Sequence, residues 1–326
     1  MKRAVIIGTG SALPQRVLSN FDLEGMVETS DEWITARTGI KTRHIAGVGE
    51  ETSQLAAGAA RQALAMAELE PDDLDLIVVG TITPDMTMPS CACLVQKELG
   101  ARRAFAMDVN AACSGFLYAL DVADKYICRN PGLKILVIGA ETLSSRVDWQ
   151  DRNTCVLFGD GAGAVVISAM DEGRGVLASK MFSDGSKANL LYVPAGGSTR
   201  PASQQTVAQR GHYIKMNGKE VFKFAVTVMV DSLLEVLALA GRTAADLDIL
   251  APHQANLRII NFARKRLNLQ PDQVLVNIHR YGNMSSAAVP VALDEAVEEG
   301  KLQAGQLVGM VSFGAGLTWG AAVMRW

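Results

Sequence analysis

The chain has 326 residues, of which 49% are hydrophobic and 20% charged, and it carries a net charge of −3. That balance suits a globular body with a large core, either one large domain or two fused halves. It supplies no global field to draw the chain to nucleic acid or to an anionic membrane.

In chain order, AVIIG (4–8) reads as a first strand behind Met1-Lys2-Arg3. An apolar run of that length falls short of the roughly 7–15 residues of a signal-peptide core, and no later run approaches the ~20 of a membrane span. The expectation is a cytoplasmic protein without membrane insertion. GTGSAL (8–13) lacks the third glycine of a dinucleotide-binding turn, so its glycines are read as points of close packing. TSDEWITARTG (29–39) reads as a short helix, with Thr29 and Glu32 as a capping box and Gly39 as the stop. Trp33 and Arg37 stand at i and i+4, which puts an indole and a guanidinium on one face. That pair is either simple packing or a platform for an adenine and its phosphate.

QLAAGAARQALAMAE (54–68) and SGFLYALDVADKYI (114–127) have helical spacing, while LDLIVVGT (74–81), AFAMDV (104–109), KILVIGAE (134–141) and GAVVIS (163–168) read as strands. The alternation predicts an α/β fold with a largely parallel sheet covered on both faces. Five cysteines in irregular spacing, with no CxxC, argue against a disulfide framework or a zinc site. A free cysteine is ordinarily a small buried hydrophobe, which suits Cys91, Cys93, Cys128 and Cys155. Cys113 is set apart by position. It stands in VNAACSGFLYAL (109–120), where a strand hands over to a helix opened by Ser114-Gly115. Backbone N–H groups and the dipole of a helix start favour thiolate over thiol. Ala111, Ala112, Ser114 and Gly115 leave a substrate carbonyl room to approach.

GDGAGA (159–164) enters a strand and has the wrong spacing for a nucleotide turn, and no metal motif occurs anywhere. PAGGSTRPASQQTVAQRGH (194–212) is polar and aperiodic, and is expected to be the least ordered piece, a lid or binding loop. Beyond it, VMVDSLLEVLALAG (228–241) is a helix, and His253 ends the strand of LDILAPHQAN (247–256). Among the four histidines, His253 alone follows a buried strand and leads into amides rather than charges, surroundings that suit a neutral imidazole. Asn256 is a plausible N-cap for the helix NLRIINFARKRLN (256–268). Arg264, Lys265 and Arg266 suit the last turn of that helix, whereas Arg258 opposes the dipole of the first turn and calls for another partner. Asn283 lies in NIHRYGNMSSAAVP, after an expected strand QVLVNI and before a helix that Ser285 or Ser286 would cap. "YGN" on its own is ordinary turn chemistry. In a parallel α/β sheet, Cys113, His253 and Asn283 would all fall at carboxyl ends of strands, where ligand crevices form.

The second half repeats the first. EPDDLDLIVVGT (70–81) is echoed by RTAADLDILAPHQAN (242–256), and GDGAGAVVIS (159–168) by FGAGLTWGAAVMR (313–325). Two α/β halves, 1–170 and 171–326, are expected to share one compact body.

DEWITARTGIKTRHIA, AACSGFLYAL, FGDGAGA, PHQAN, YGNMSSAAVP and SFGAGLTWGAA occur in that order along the whole chain. Together they resemble β-ketoacyl-acyl-carrier-protein synthase III, the condensing enzyme that starts type II fatty-acid synthesis. The resemblance implies a thiolase fold, duplicated α/β halves in a five-layered α-β-α-β-α arrangement, and a homodimer. It implies decarboxylative condensation of an acyl-CoA primer, acetyl-CoA above all, with malonyl-acyl-carrier protein through an acyl-cysteine. No cofactor is implied beyond the coenzyme A and carrier-protein thioesters. Carried onto this chain, Cys113 is the nucleophile, with His253 and Asn283 completing the site, and the N–H groups of Cys113 and Ala315 form the oxyanion hole. Trp33 and Arg152 would sandwich the coenzyme A adenine, with Arg37 near its phosphates. Arg258 would dock the acyl-carrier protein, with Lys223, Lys265 and Arg266 beside it. Two departures stand out. Gly314-Ala315-Gly316-Leu317 replaces the family's usual Gly-Gly-Gly-Phe, and Met88 stands where relatives often carry an aromatic that limits acyl length. Three rival readings are a related condensing enzyme or acyltransferase of secondary metabolism, a Cys-His-Asn thioester hydrolase, and a non-catalytic scaffold.

Overall fold

The computed structural model describes residues 2–170 and 173–326. The expected junction between the halves touches Asp171, which lies outside the described residues. In chain order the strands of the first half are β1 (Arg3–Ala12), β2 (Arg16–Ser19), β3 (Thr42–Ile45), β4 (Leu76–Gly80), β5 (Phe105–Val109), β6 (Ile135–Glu141) and β7 (Gly161–Met170). Those that follow are β8 (Gly175–Ser183), β9 (Leu191–Tyr192), β10 (Lys215–Met216), β11 (Ile249–Pro252), β12 (Leu307–Gly314) and β13 (Thr318–Arg325).

Two main sheets result, ordered β1-β7-β6-β4-β5 and β8-β13-β12-β11. The second repeats the order of the first four strands, as the echoed motifs predict. Neither sheet is largely parallel. β6, β4 and β5 run parallel, as do β11 and β12, but β1 with β7, β7 with β6, β12 with β13, and β13 with β8 are antiparallel. No crossover helix separates β6 from β7 or β12 from β13, and directly connected neighbours pair antiparallel. The counterpart of β5, expected at QVLVNI, shrinks to one bridge between Val274 and Leu250. The buried carboxamide of Gln254 is the reason. Its Nε2 donates to the carbonyls of Pro252 (2.8 Å) and Leu275 (3.0 Å), and its Oε1 accepts from the N–H groups of Asn277 (3.1 Å) and Ile278 (3.2 Å). A side chain has taken the backbone groups that a strand would need.

Helices Thr52–Met66 and Cys91–Leu99 cover the outer face of the first sheet. Gly115–Arg129 and Ala288–Glu298 fill the space between the sheets, joining the inner faces of both in one apolar core. Gly218–Leu239 and Leu257–Arg266 cover the outer face of the second sheet. The layers therefore run α-β-α-β-α. The glycines of GTGSAL do pack closely: a Cβ on Gly8 would lie 2.1 Å from the Ala63 carbonyl, and one on Gly10 would lie 2.3 Å from that of Ala59.

Two further features bear on the site. Leu18, Leu23, Ile34, Ile40 and Ile45, around the β2–β3 pair, are buried with the second sheet's outer core. This carries the Trp33 helix across to the second half. The segment 194–212, expected to be the least ordered piece, is folded. Ser203 caps a helix Gln204–Ala208, Thr206 Oγ1 lies 3.0 Å from His212 Nε2, and the Arg210 guanidinium pairs with Asp148.

Candidate active site

A cleft of about 940 Å³ opens between the halves and is lined by Cys113, His253 and Asn283. Its volume is that of a small-molecule site. Sequence distances of 140 and 170 residues are closed by the stacking of the two sheets.

Cys113 lies in a turn, Ala112–Ser114, between β5 and the helix Gly115–Arg129. Ser312 Oγ holds its carbonyl at 2.6 Å, and the Ser114 hydroxyl donates to the Thr318 carbonyl at 3.2 Å. Gly314 packs so closely on Cys113 that a Cβ there would stand 2.6 Å from the Cys113 nitrogen. Burial works against the expected thiolate. Burial pushes the Cys113 thiol up to about 12, and the nearby Glu141 carboxylate adds to that rise. Contact with the Ser285 hydroxyl opposes both. Burial outweighs the helix start, because charged sulfur loses far more hydration here than the dipole returns.

His253 follows β11, and its N–H donates to the Val311 carbonyl at 2.8 Å. Its ring meets Phe313 edge-on, with centroids 5.6 Å apart. Both ring nitrogens are buried without a protein partner. Burial pushes the imidazole down to about 3, so at neutral pH it is an uncharged ring with one N–H to offer.

Asn283 is not at a strand end. It forms a lone parallel bridge with Phe158, its N–H donating to the Leu157 carbonyl (2.9 Å) and its carbonyl accepting from Gly159 (3.0 Å). Oδ1 accepts from the Ser285 N–H at 2.8 Å, which leaves the Nδ2 amide as the group free to donate. The serine expected to cap the next helix does something else: Ser285 Oγ donates to Glu141, and the helix Ala288–Glu298 starts without a side-chain cap.

Ala315 follows Gly314 in the β12–β13 turn, and its carbonyl accepts from Thr318 Oγ1 at 3.0 Å. Its side chain is not part of the cleft lining, whereas Gly314 is.

At the cleft mouth, the Trp33 helix is capped by Ser30, whose Oγ accepts from the Trp33 N–H at 3.1 Å, and not by the expected Thr29–Glu32 box. Gly39 ends it at φ +82°, and a Cβ there would stand 2.5 Å from that of Leu257. Only glycine fits both the left-handed turn and the contact. Asn256 caps the helix Leu257–Arg266 as expected, accepting from Arg258 N–H at 2.9 Å, and its Nδ2 donates to the Arg37 carbonyl at 3.1 Å. The guanidiniums of Arg37 and Arg152 stand 4.7 and 5.0 Å from the Trp33 ring centroid. Arg152 also donates to the Glu28 carbonyl at 2.7 Å.

Arg258 has an internal partner, the Phe222 ring at 5.2 Å, and with Lys223 it lines the cleft. Lys223 also pairs with Glu220 at 3.0 Å. Lys265 and Arg266 are exposed at the far end of the same helix and do not line the cleft. Lys215 and Lys219 do line it; the sequence reading passed over them because they are scattered singly after the 194–212 loop. Met88 is not in the cleft of its own chain. It is 85% exposed on a loop tied to β5, where Asp108 accepts from the N–H groups of Cys91 (2.7 Å) and Ala92 (2.8 Å). Glu141 was also missed, although a carboxylate closing the apolar run KILVIGAE was a visible signal.

Comparisons with known proteins agree with the order of motifs. The family profile described as 3-oxoacyl-[acyl-carrier-protein (ACP)] synthase III matches residues 107–185, and that of its C-terminal part matches residues 237–326. The beta-ketoacyl-[acyl-carrier-protein] synthase III of Caldanaerobacter subterraneus subsp. tengcongensis is 54% identical over 323 residues, covering 99% of this chain and 98% of that protein. The crystal structure of 3-oxoacyl-[acyl-carrier-protein] synthase III from Aquifex aeolicus VF5 is 49% identical with a TM-score of 0.92, covering 99% of this chain and 100% of that one. The priming beta-ketosynthase of the R1128 polyketide biosynthetic pathway is 35% identical with a TM-score of 0.91, covering 99% and 96%. With identity at this level running from end to end, the chain belongs to the 3-oxoacyl-[acyl-carrier-protein] synthase III family.

Proposed function

We propose that this condensing acyltransferase of fatty-acid biosynthesis works by a two-step exchange centred on Cys113. In the first step the Cys113 sulfur attacks the thioester of an acyl-CoA, and backbone N–H groups of Cys113 and Ala315 hold the oxyanion. Coenzyme A leaves and the enzyme is acylated. Malonyl-acyl-carrier protein then loses CO₂, and its carbanion attacks the acyl-cysteine to give an acetoacetyl-type product. The observation that carries the reading is the convergence of a buried cysteine with two uncharged donors, the His253 ring N–H and Asn283 Nδ2, in one cleft. Uncharged donors suit an enolate oxygen that gains charge only as CO₂ departs. The chemistry calls on no metal or redox cofactor, because both substrates are already activated as thioesters.

For coenzyme A, the reading places the adenine on Trp33 between the indole and Arg152, with Arg37 near the phosphates. The two guanidiniums already gathered at that ring support it. For the acidic carrier protein, Arg258 and Lys223 are supported by their place at the mouth. Lys265 and Arg266 are left as outer contacts.

The homodimer is supported by β5, the last strand of its sheet, with an unpaired edge. Around it Phe105 is 49% exposed, Tyr126 40% and Met86 47%. Edges of that kind invite a second chain, and a side chain as exposed as Met88 reaches an acyl pocket only across such a contact. Light scattering should return twice the 34.7 kDa chain mass, and Phe105→Asp should shift it to the monomer. A wild-type monomer removes both the dimer and the pocket role of Met88. A cytoplasmic location is supported by five free cysteines, and cell fractionation checks it. No described helix is long and apolar enough to cross a membrane.

A panel of acyl-CoAs from acetyl to decanoyl, with malonyl-acyl-carrier protein and masses read on the products, tests the primer. Acetyl-CoA should turn over fastest and give acetoacetyl-carrier protein. Fastest turnover of a long primer favours the second reading, a priming enzyme of a secondary pathway, which the 35% identity to a polyketide priming ketosynthase keeps in view. Free acid as the main product favours the hydrolase.

A further inference from the structure

Glu141 closes β6 with a side chain that is 0% exposed, and none of its hydrogen-bond partners is a cation. Its two oxygens have different surroundings. Oε2 accepts from the Thr81 hydroxyl (3.3 Å), the Ile82 N–H (3.1 Å) and the Thr83 hydroxyl (2.6 Å). Thr81 Oγ1 itself accepts from the Thr83 N–H (3.1 Å), and Thr83 Oγ1 from the Thr142 N–H (2.8 Å). Both hydroxyl protons are thereby aimed at the carboxylate. Oε1 accepts from a single donor, Ser285 Oγ, at 2.9 Å.

The same Ser285 hydroxyl interacts with Cys113, and with its one proton on Glu141 its oxygen meets the thiol as an acceptor. The turn Ala112–Ser114 packs directly on the turn Ser285–Ala287. Ser285 is held at φ +49°, outside the usual range for a side-chain-bearing residue, with its N–H fixed on Asn283 Oδ1. A hydroxyl thus bridges a buried acid and the reacting sulfur. Among the described residues, the titratable groups that interact with Glu141 include Cys113 and Cys91, whose thiol feels the charges of Asp85 and Asp108 as well. The neighbouring helix Thr52–Met66 contributes only the neutral Thr52 hydroxyl, 2.5 Å from the Thr83 carbonyl.

We propose that Glu141, acting through the Ser285 hydroxyl, receives the Cys113 proton when the thiol attacks an acyl thioester. The S–H bond breaks and its proton passes to Ser285 Oγ as the Ser285 proton passes to Glu141 Oε1. The sulfur forms its bond to the acyl carbon, and the carbon–sulfur bond to coenzyme A breaks. The proton returns along the same path to the leaving coenzyme A sulfur, so the exchange is balanced and needs no other reactant. Burial against its donors pushes Glu141 up to about 7, close to the pH at which a relay acceptor works best. His253 is the poorer acceptor, since burial without any partner pushes it down to about 3. The division of labour leaves His253 as an uncharged donor for the second step. Glu141 is a positioning residue in this scheme and Ser285 the group that touches the sulfur.

The inference rests on Cys113 being the acyl-accepting nucleophile, and its test is built to fail separately from that reading. The rate of iodoacetamide labelling at Cys113, read by peptide mass spectrometry, is followed across pH together with acylation by acetyl-CoA in single turnovers. In the wild type both rates should rise through neutral pH as Glu141 loses its proton, because only the ionised carboxylate can accept. Glu141→Gln should be slower by about 10²-fold at neutral pH and lose that neutral limb, rising only where the thiol itself ionises. Glu141→Asp should restore the limb in part. Ser285→Ala should lose it with Glu141 intact. Wild-type rates and pH dependence in both Glu141→Gln and Ser285→Ala overturn the proposal. If Glu141→Gln does not fold, Ser285→Ala decides by the same criterion. A wild type that labels at Cys113 yet never carries acyl there overturns the nucleophile reading instead.

Discussion

Cys113→Ala should take up no label from radioactive acetyl-CoA in a single turnover, with condensation falling by at least ~10³-fold, since no other group can hold the acyl chain between the two half-reactions. The other cysteines are no substitutes. Cys91 and Cys155 are fully buried, with thiols pushed up by burial, and Cys93, Cys128, Cys91 and Cys155 all lie outside the cleft lining. The loss should be confined to the first half-reaction. The hydrogen bonds that hold His253 to the Val311 carbonyl and Asn283 to the Ser285 N–H do not involve Cys113. Release of CO₂ from malonyl-acyl-carrier protein should therefore continue, leaving acetyl-carrier protein as an unproductive end. Wild-type labelling of Cys113→Ala sinks the assignment. Loss of CO₂ release together with labelling would show that the substitution had collapsed the cleft.

Asn283→Ala should give the opposite split. Acylation should survive while malonyl decarboxylation drops by ~10²–10³, or ~3–4 kcal/mol, the usual effect of removing one donor from a developing oxyanion. Alanine also takes away the acceptor of the Ser285 N–H, and an orphaned buried donor costs about 1–3 kcal/mol of stability. Asn283→Asp separates the two effects, because its oxygens keep the Ser285 bond and only the Nδ2 donor is lost. Decarboxylation should be as poor in Asp as in Ala, with a melting temperature nearer wild type in Asp. Equal loss of acylation and decarboxylation in both variants would mark Asn283 as a structural brace.

Much of the site was readable along the chain because its causes are local. A strand ending in small residues before a helix start singles out Cys113, and a buried strand followed by amides singles out His253. The Trp33 and Arg37 pair follows from a spacing of four on a helix. Asn283 was found in a motif, yet for an incomplete reason, since the strand expected before it is a single bridge. The amide of Gln254 occupies the backbone groups that would have paired. Nothing local to QVLVNI signals that competition.

The alternation of strands and helices was legible along the chain because it depends on neighbours a few residues apart, and the duplication and the order of motifs because they are patterns of the chain alone. Tertiary structure decided protonation and partnership. Whether Cys113 rests as thiol or thiolate depends on desolvation by residues from both halves, and burial opposes what the helix start alone would favour. Ser285 looked like a helix cap and became a bridge to Glu141, 144 positions earlier in the chain. Met88 looked like a pocket residue and stands exposed beside a sheet edge. The physical reason is common to the first two. Periodicity reports which face of an element is apolar, but a group's charge state and hydrogen-bond partners depend on what the opposite element brings within a few ångströms.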